Sequence, residues 1–314
     1  MVNSIKITNS KIQVNDMTDI YKLPAWVDID NIHWDYLSEI SNAIHLLEQN
    51  IDNVYWTYLS RNPNAIHILE KNRDKINWGA LSVNPCAIYL LEKNTDKIYW
   101  YNLSQNTNAI SLLKKNINKI NWACLSGNSN KNAIVLLQQN MDKVDWGILS
   151  SNPSAIHILE QNMDKIYWPY LSLNPNAIHL LEKNIDKINW TYLSQNPNAI
   201  SILEKNKDKI NWHSLSQNPN AIHLLEKNTD KISWSYLSQN PNAMHLLEKN
   251  IDKINWYYLS WNTNLLIYDY NKMKKNRAIS GMTEELIAKV FHPDRLVRIC
   301  KKYKIQFLEL IQIY

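Results

Sequence analysis

Glycine and phenylalanine are nearly missing from this chain, with four and two residues respectively in 314. Gly79, Gly127, Gly147 and Gly281 lie far apart and cannot form the glycine-rich loop that cradles a phosphate. No apolar run reaches the roughly 18 residues of a membrane span, so no transmembrane segment is expected. The opening M-V-N-S-I-K-I-T-N-S has no charged segment leading into an apolar stretch, and no secretory signal is expected either. Cys86, Cys124 and Cys300 are an odd number without paired spacing, which points to a reducing compartment such as the cytoplasm. G-x-S-x-G, a Walker loop, H-E-x-x-H and Cys/His pairs at metal spacing are all lacking. The expectation is a protein that is not an enzyme and holds neither metal nor cofactor.

A basic excess along the body is lacking too, although the net charge is +5. Residues 34–268 carry 21 Lys+Arg against 20 Asp+Glu, and residues 1–33 carry 3 against 4. The surplus sits in residues 269–314, with ten positive and five negative side chains. Nucleic-acid binding by the body is therefore not expected.

What is present is a period. Tryptophan recurs every 22 residues from Trp34 to Trp256, with one step of 24 between Trp122 and Trp146. Eleven copies of one sentence fill residues 34–268, clearest as W-T-Y-L-S-Q-N-P-N-A-I-S-I-L-E-K-N-K-D-K-I-N at 190–211. A fixed period of this length is the signature of a stacked array.

Each unit is numbered here from its Trp as position 1. Asn at position 7 is placed to cap a helix and Pro at position 8 to begin it. The alanine at position 10, the isoleucine at position 11 and the leucine at position 14 share one face, with position 13 beside them. In the clearest copy these are Ala199, Ile200, Leu203 and Ile202. They give a helix of about nine residues that is stable only when stacked. Asn at position 17, present in all ten copies that reach it, is expected to end that helix as a left-handed C-cap. The other half, D-K-I-N-W-x-x-L-S, fits a strand or a helix. Pro169, directly after Trp168, would delete a ladder bond in a central strand but is tolerated in a first helical turn. Position 22 is often a capping type, as in Asn77, Asp145 and Asn189. The expected fold is all-α: an α-solenoid of eleven 22-residue units, each a short α or 3-10 turn plus a short α-helix. Stacked linearly, it would run about 100 Å at roughly 9 Å per unit. The alternative is a leucine-rich-repeat horseshoe, whose strand pattern W-x-x-L-S-x-N half matches.

The run L-S-x-N-P-N-A-I-x-L-L-E-K-N resembles leucine-rich variant repeats, which pair an α-helix with a 3-10 helix. The Asn/Lys/Ile-rich wording, and the segment E-E-L-I-A-K-V-F-H-P-D-R-L at 284–296, resemble repeat proteins of mimivirus-like giant DNA viruses. The resemblance implies a viral protein in the host cytoplasm or the virion.

Residues 1–33 read as an N-terminal cap in which Trp26 to His33 form a partial unit, and residues 269–314 as a basic helical C-terminal cap. The extra Asn128-Ser129-Asn130-Lys131-Asn132 stretch reads as a surface loop. Position 12 forms an exposed column: His45, His67, Tyr89, His157, His179, His223 and His245. Adjacent helices lie too far apart for these histidines to share a zinc. Tyr58, Tyr170, Tyr192 and Tyr236 at position 3 are candidate exposed aromatics, whereas the Trp column reads mainly as core. The Asp-Lys pair at 19 and 20 reads as a self-neutralising solvated face. Arg295, Arg298, Lys301, Lys302 and Lys304 form a candidate anionic-partner patch. The leading expectation is a protein–protein interaction scaffold with an unidentified protein partner. A structural virion component is the alternative, and nucleic-acid binding through the basic tail ranks third.

Overall fold

The computed structural model describes residues 20–273. The chain divides into two units, Leu23–Ile267 and a smaller one that contains both chain ends. In the smaller unit the Tyr21 and Tyr268 rings lie 4.8 Å apart and Lys22 pairs with Asp269 at 3.5 Å.

Leu23–Ile267 is an all-α array of repeated helix pairs, as the periodicity predicts. In the unit that starts at Trp190, a first helix spans Trp190–Gln195, a second Ile200–Lys205, and a 3-10 turn Lys207–Lys209. The only strands among the described residues are Tyr21–Lys22 and Ile267–Tyr268. The horseshoe alternative fails because the W-x-x-L segment that would be its strand is helical in all eleven units. Leu at position 4, Ala at position 10 and Leu at position 14 have no exposed surface in unit after unit, for example Leu193, Ala199 and Leu203. Burying each such leucine contributes about 1.5–3 kcal/mol, which offsets the ordering of helices too short to persist alone.

Three local expectations are corrected. The second helix has six residues or fewer in the Pro-containing units, because Pro197-Asn198-Ala199 forms a turn closed by Ala199 N–H on the Asn196 carbonyl. In the unit with the insertion the extra Lys131 and Asn132 are helical and not a surface loop, and the helix lengthens to Lys131–Gln138. Asn at position 17 is not left-handed. Asn206 has φ −131° and ψ 52°, and its side-chain amide donates to the Ile202 carbonyl at 2.8 Å. It satisfies a carbonyl left open at the helix end, which no backbone group of the helix can reach.

Neighbouring units are tied by three kinds of polar contact. Ser194 Oγ donates to the Trp190 carbonyl and accepts at 3.0 Å from the N–H of Asn211, the residue that leads into the next unit's Trp helix. Asn196 caps its own turn by accepting from Asn198 N–H, as position 7 predicts, while its Nδ2 donates to two carbonyls of the preceding unit, Ser172 and Asn174, both at 3.0 Å. Asn198 Nδ2 reaches the Pro175 carbonyl at 2.9 Å. Asn196 is completely buried, so its own bonds satisfy an amide that would otherwise be orphaned. The two-residue insertion leaves this ladder intact. Asn128 still bonds back to Ser104 and Asn106, and Asn152 reaches over the insertion to Ser126 and Asn128.

The array is closed, not linear. Asp28–His33 repeats the end of a unit, with a 3-10 turn at Ile29–Asn31 and a buried Ile32. His33 N–H donates to Ser260 Oγ at 2.9 Å, the bond that Tyr55 N–H makes to Ser38 Oγ between the first two units. The unit at Trp34 thus follows the unit at Trp256, and the N-terminal half-unit completes the eleventh repeat, so residues 23–33 belong with the array. Among like helices, consecutive Trp helices make the extensive contacts, which places them on the inner circumference. A full turn shared by eleven units is about 33° per unit. At about 9 Å spacing the inner helix axes lie on a circle about 30 Å across, in place of a 100 Å rod.

Candidate recognition surfaces

The frame positions 4, 5, 7, 10 and 14 are buried, so selectivity has to come from the positions that vary around them. On the Trp helices these are 2, 3 and 6. Six of the Trp helices are capped by position 22: Asn77, Asn121, Asp145, Asn189, Asn211 and Asn255 accept an N–H three residues on. Ser233, Tyr55, Tyr99 and Tyr167 make no such bond.

The tryptophans are half-buried, not core. Over nine of them the Lys at position 20 of the same unit places its ammonium 4.6–4.9 Å from the ring centroid, as Lys209 does over Trp190. The Asp-Lys pair is therefore not simply a solvated face, since its lysine covers the indole. Such a contact contributes about 0.5–1 kcal/mol at an exposed site.

Position 3 gathers its tyrosines into clusters across neighbouring units. Tyr170 and Tyr192 lie 6.1 Å apart, with Tyr167 edge-on to Tyr170 at 4.9 Å. Tyr236 stacks on Tyr258 at 5.9 Å and meets His213 at 4.1 Å. Tyr58 lies 5.4 Å from both Tyr36 and Tyr55, with the Arg61 guanidinium 5.9 Å above its ring. Tyr36 in turn touches Tyr257 and Trp261 of the eleventh unit, at 4.8 and 4.5 Å. The hydroxyls of Tyr36 and Tyr257 are hydrogen-bonded, and that bond, reinforced by burial, raises the Tyr36 pKa. Sequence reasoning missed Tyr55 and Tyr167, and it reached His213, Tyr257 and Trp261 only as members of the variable positions 2 and 6, without singling them out. They occupy positions 22, 2 and 6, whose approach to position 3 depends on the curvature of the array. At Gly79 the missing side chain opens a cleft of about 520 Å³ beside Trp78, Lys97 and Tyr99.

The position 12 column lies on the second helices and is laterally tied. His67, His179, His223 and His245 each reach the Glu at position 15 of the preceding unit, at 2.7, 2.8, 3.2 and 2.9 Å. His157 contacts Gln138 at 2.9 Å, and His45 contacts Gln49 of its own helix at 2.7 Å. Tyr89 is 57% exposed with the Lys93 ammonium 4.1 Å from its ring. No group of three or more His, Cys, Asp or Glu that could hold a metal occurs among the described residues. Arg295, Arg298, Lys301, Lys302 and Lys304 lie outside the described residues. Among the described residues no helix is long and apolar enough to cross a membrane.

Compared with known proteins, the chain matches no family model, no curated protein and no solved structure.

Proposed function

We propose that this chain is a non-enzymatic protein-interaction scaffold, in which a constant frame displays variable residues at positions 2, 3 and 6 of the inner helices and at position 12 of the outer ones. The observation that carries the reading is the Tyr167–Tyr170–Tyr192 cluster. These rings lie far from the closing junction, cap no helix, and keep Tyr167 and Tyr170 at 49% and 38% exposure. Grouped, solvent-facing aromatics are the residues from which protein interfaces draw most of their binding energy. Positions 2, 3 and 6 of these two units (Pro169, Tyr170, Leu173, Thr191, Tyr192 and Gln195) carry no charge, which favours a protein over a polyanion. The resemblance of the repeat wording to repeat proteins of giant DNA viruses implies a viral origin and a setting in the host cytoplasm or the virion.

The test is affinity capture from native or infected cells with the wild-type chain and with a Tyr167→Ser/Tyr170→Ser/Tyr192→Ser variant. The expected result is a defined set of proteins held by the wild type and reduced about tenfold or more by the variant. Identical recovery on both would remove the cluster from the recognition surface.

A further inference from the structure

The closing junction is built from different chemistry from the other ten. At those ten, Asn at position 7 sends its side-chain amide into two carbonyls of the preceding unit. In the unit at Trp34 that position is Ile40, which has no amide to give. Of the polar ladder, the His33 N–H to Ser260 Oγ bond is kept. Aromatic contacts take the place of the rest: His33 and Tyr36 against Tyr257, and Tyr36 and Tyr58 against Trp261. The same unit holds two buried acceptors without a donor, Glu39 Oε2 and Asn42 Oδ1. Asn42 is at position 9, where Asn198 and its counterparts send their amides into the preceding unit.

This is the composition of an interface between separable surfaces. Pulling an interior junction apart breaks two Asn amide–carbonyl bonds that the seam does not have, each contributing about 0.5–1.5 kcal/mol net against water. Pulling the seam apart exposes rings whose hydroxyls and indole N–H can turn to water. The two faces are also unlike each other, so they pair head to tail.

We infer that the seam is a reversible joint, and that the partner its two faces fit, besides each other, is a second copy of this chain. In such an exchange, Asp28–His33 and Tyr36 of one copy seat on Tyr257, Ser260 and Trp261 of another, and the reciprocal pair closes a two-chain assembly of 22 units. Within one chain the faces are held at high effective concentration, which favours the single ring at low protein concentration. Opening also parts the exposed Tyr21–Tyr268 and Lys22–Asp269 contacts of the terminal unit. This inference is independent of the scaffold reading, because it concerns the junction and not the displayed residues.

The full chain is unfolded in urea and refolded at about 1 µM and about 300 µM, then sized by chromatography with light scattering. The expected result is monomer at the low concentration and a stable dimer at the high one. Ile40→Asn, which supplies the missing ladder residue at the seam, is expected to lower the dimer yield at least about fivefold. Dimer formed equally by Ile40→Asn, or monomer alone at both concentrations, would overturn the joint. Native-state hydrogen exchange on the unmodified chain provides a check that needs no variant. The His33 amide is expected to exchange about tenfold faster than the matching Asn211 amide, and equal protection would count against the inference.

Discussion

Ten junctions of the array and its eleventh solve the same docking problem with different materials. Inside the array the solution is polar: buried Ser194 and Asn196 and exposed Asn198 hold their neighbours through a hydroxyl and amides, and Asn196 has no contact with solvent. At the seam it is aromatic and partly wet, with Trp261 39% and Tyr257 43% exposed. Hydrogen bonds fix register strictly, because a shifted amide leaves its carbonyls unpaired. Ring contacts tolerate small errors of angle, and the seam is where the angular error of ten preceding junctions accumulates. The contrast teaches that a closed repeat array needs one forgiving junction.

The comparison is broken most severely from the interior side. Asn196→Ala removes a turn cap, leaves the Ser172 carbonyl buried without a donor, and leaves the Asn174 carbonyl with the Ala177 N–H alone. The expected loss is about 2–4 kcal/mol, read from urea unfolding with attention to the slope, since an array can cease to unfold as one body. A loss under about 1 kcal/mol would mean that the amide ladder is ornamental. Tyr36→Ala at the seam is expected to cost about 2–3 kcal/mol, less than a fully enclosed ring because Tyr257 and Trp261 are partly in water. Its effect should be local, with His33 exchange accelerated and Asn211 unchanged. Equal acceleration at both amides would show that the seam is as cooperative as the interior.

The smallest effect concerns pH. Burial pushes the Glu39 carboxyl above its ordinary value of 4.5, and nearby Arg61 opposes only part of that rise. A raised folded value means that the native state holds the proton more tightly than the unfolded chain. The stability Glu39 adds is therefore fully present below about pH 4.5 and is lost as pH rises through the raised folded value. Glu39→Gln should flatten that part of the stability profile while leaving the Asn196 region untouched. An unchanged profile would place Glu39 in bulk-like solvent.

Much of the frame was legible in the chain. The Trp period gives the unit, Asn at position 7 gives the cap, and Pro169 argues against a strand, because each depends on residues within one turn of one another. The second role of Asn196 was not legible, since its acceptors lie 22 and 24 residues away and only stacking brings them near. The Trp–Lys contact was missed for a similar reason: position 20 returns to position 1 only through the 3-10 turn at Lys207–Lys209. Closure is the hardest case. I-D-N-I-H-W at 29–34 is visibly the same phrase as I-D-K-I-N-W at 185–190, so half a unit stood at the front of the chain. What it completes depends on an angle of about 33° per unit, and a few degrees less would have left a helix with two free ends. The tyrosine clusters inherit that uncertainty, because Tyr36 and Trp261 are distant in any linear array.

The insertion near Asn130 and the closed circuit together bear on how such a gene evolves. Near-identical tandem copies misalign during replication, and whole units are gained or lost. A linear array absorbs the change as a difference in length. Here a twelfth unit asks every junction to relax from about 33° to about 30°, or asks the seam to stay open. Two extra residues between Asn130 and Ala133 are tolerated because the Asn ladder on either side of them is kept. Folding therefore acts as a counting device: it is lenient about letters within a copy and strict about the number of copies.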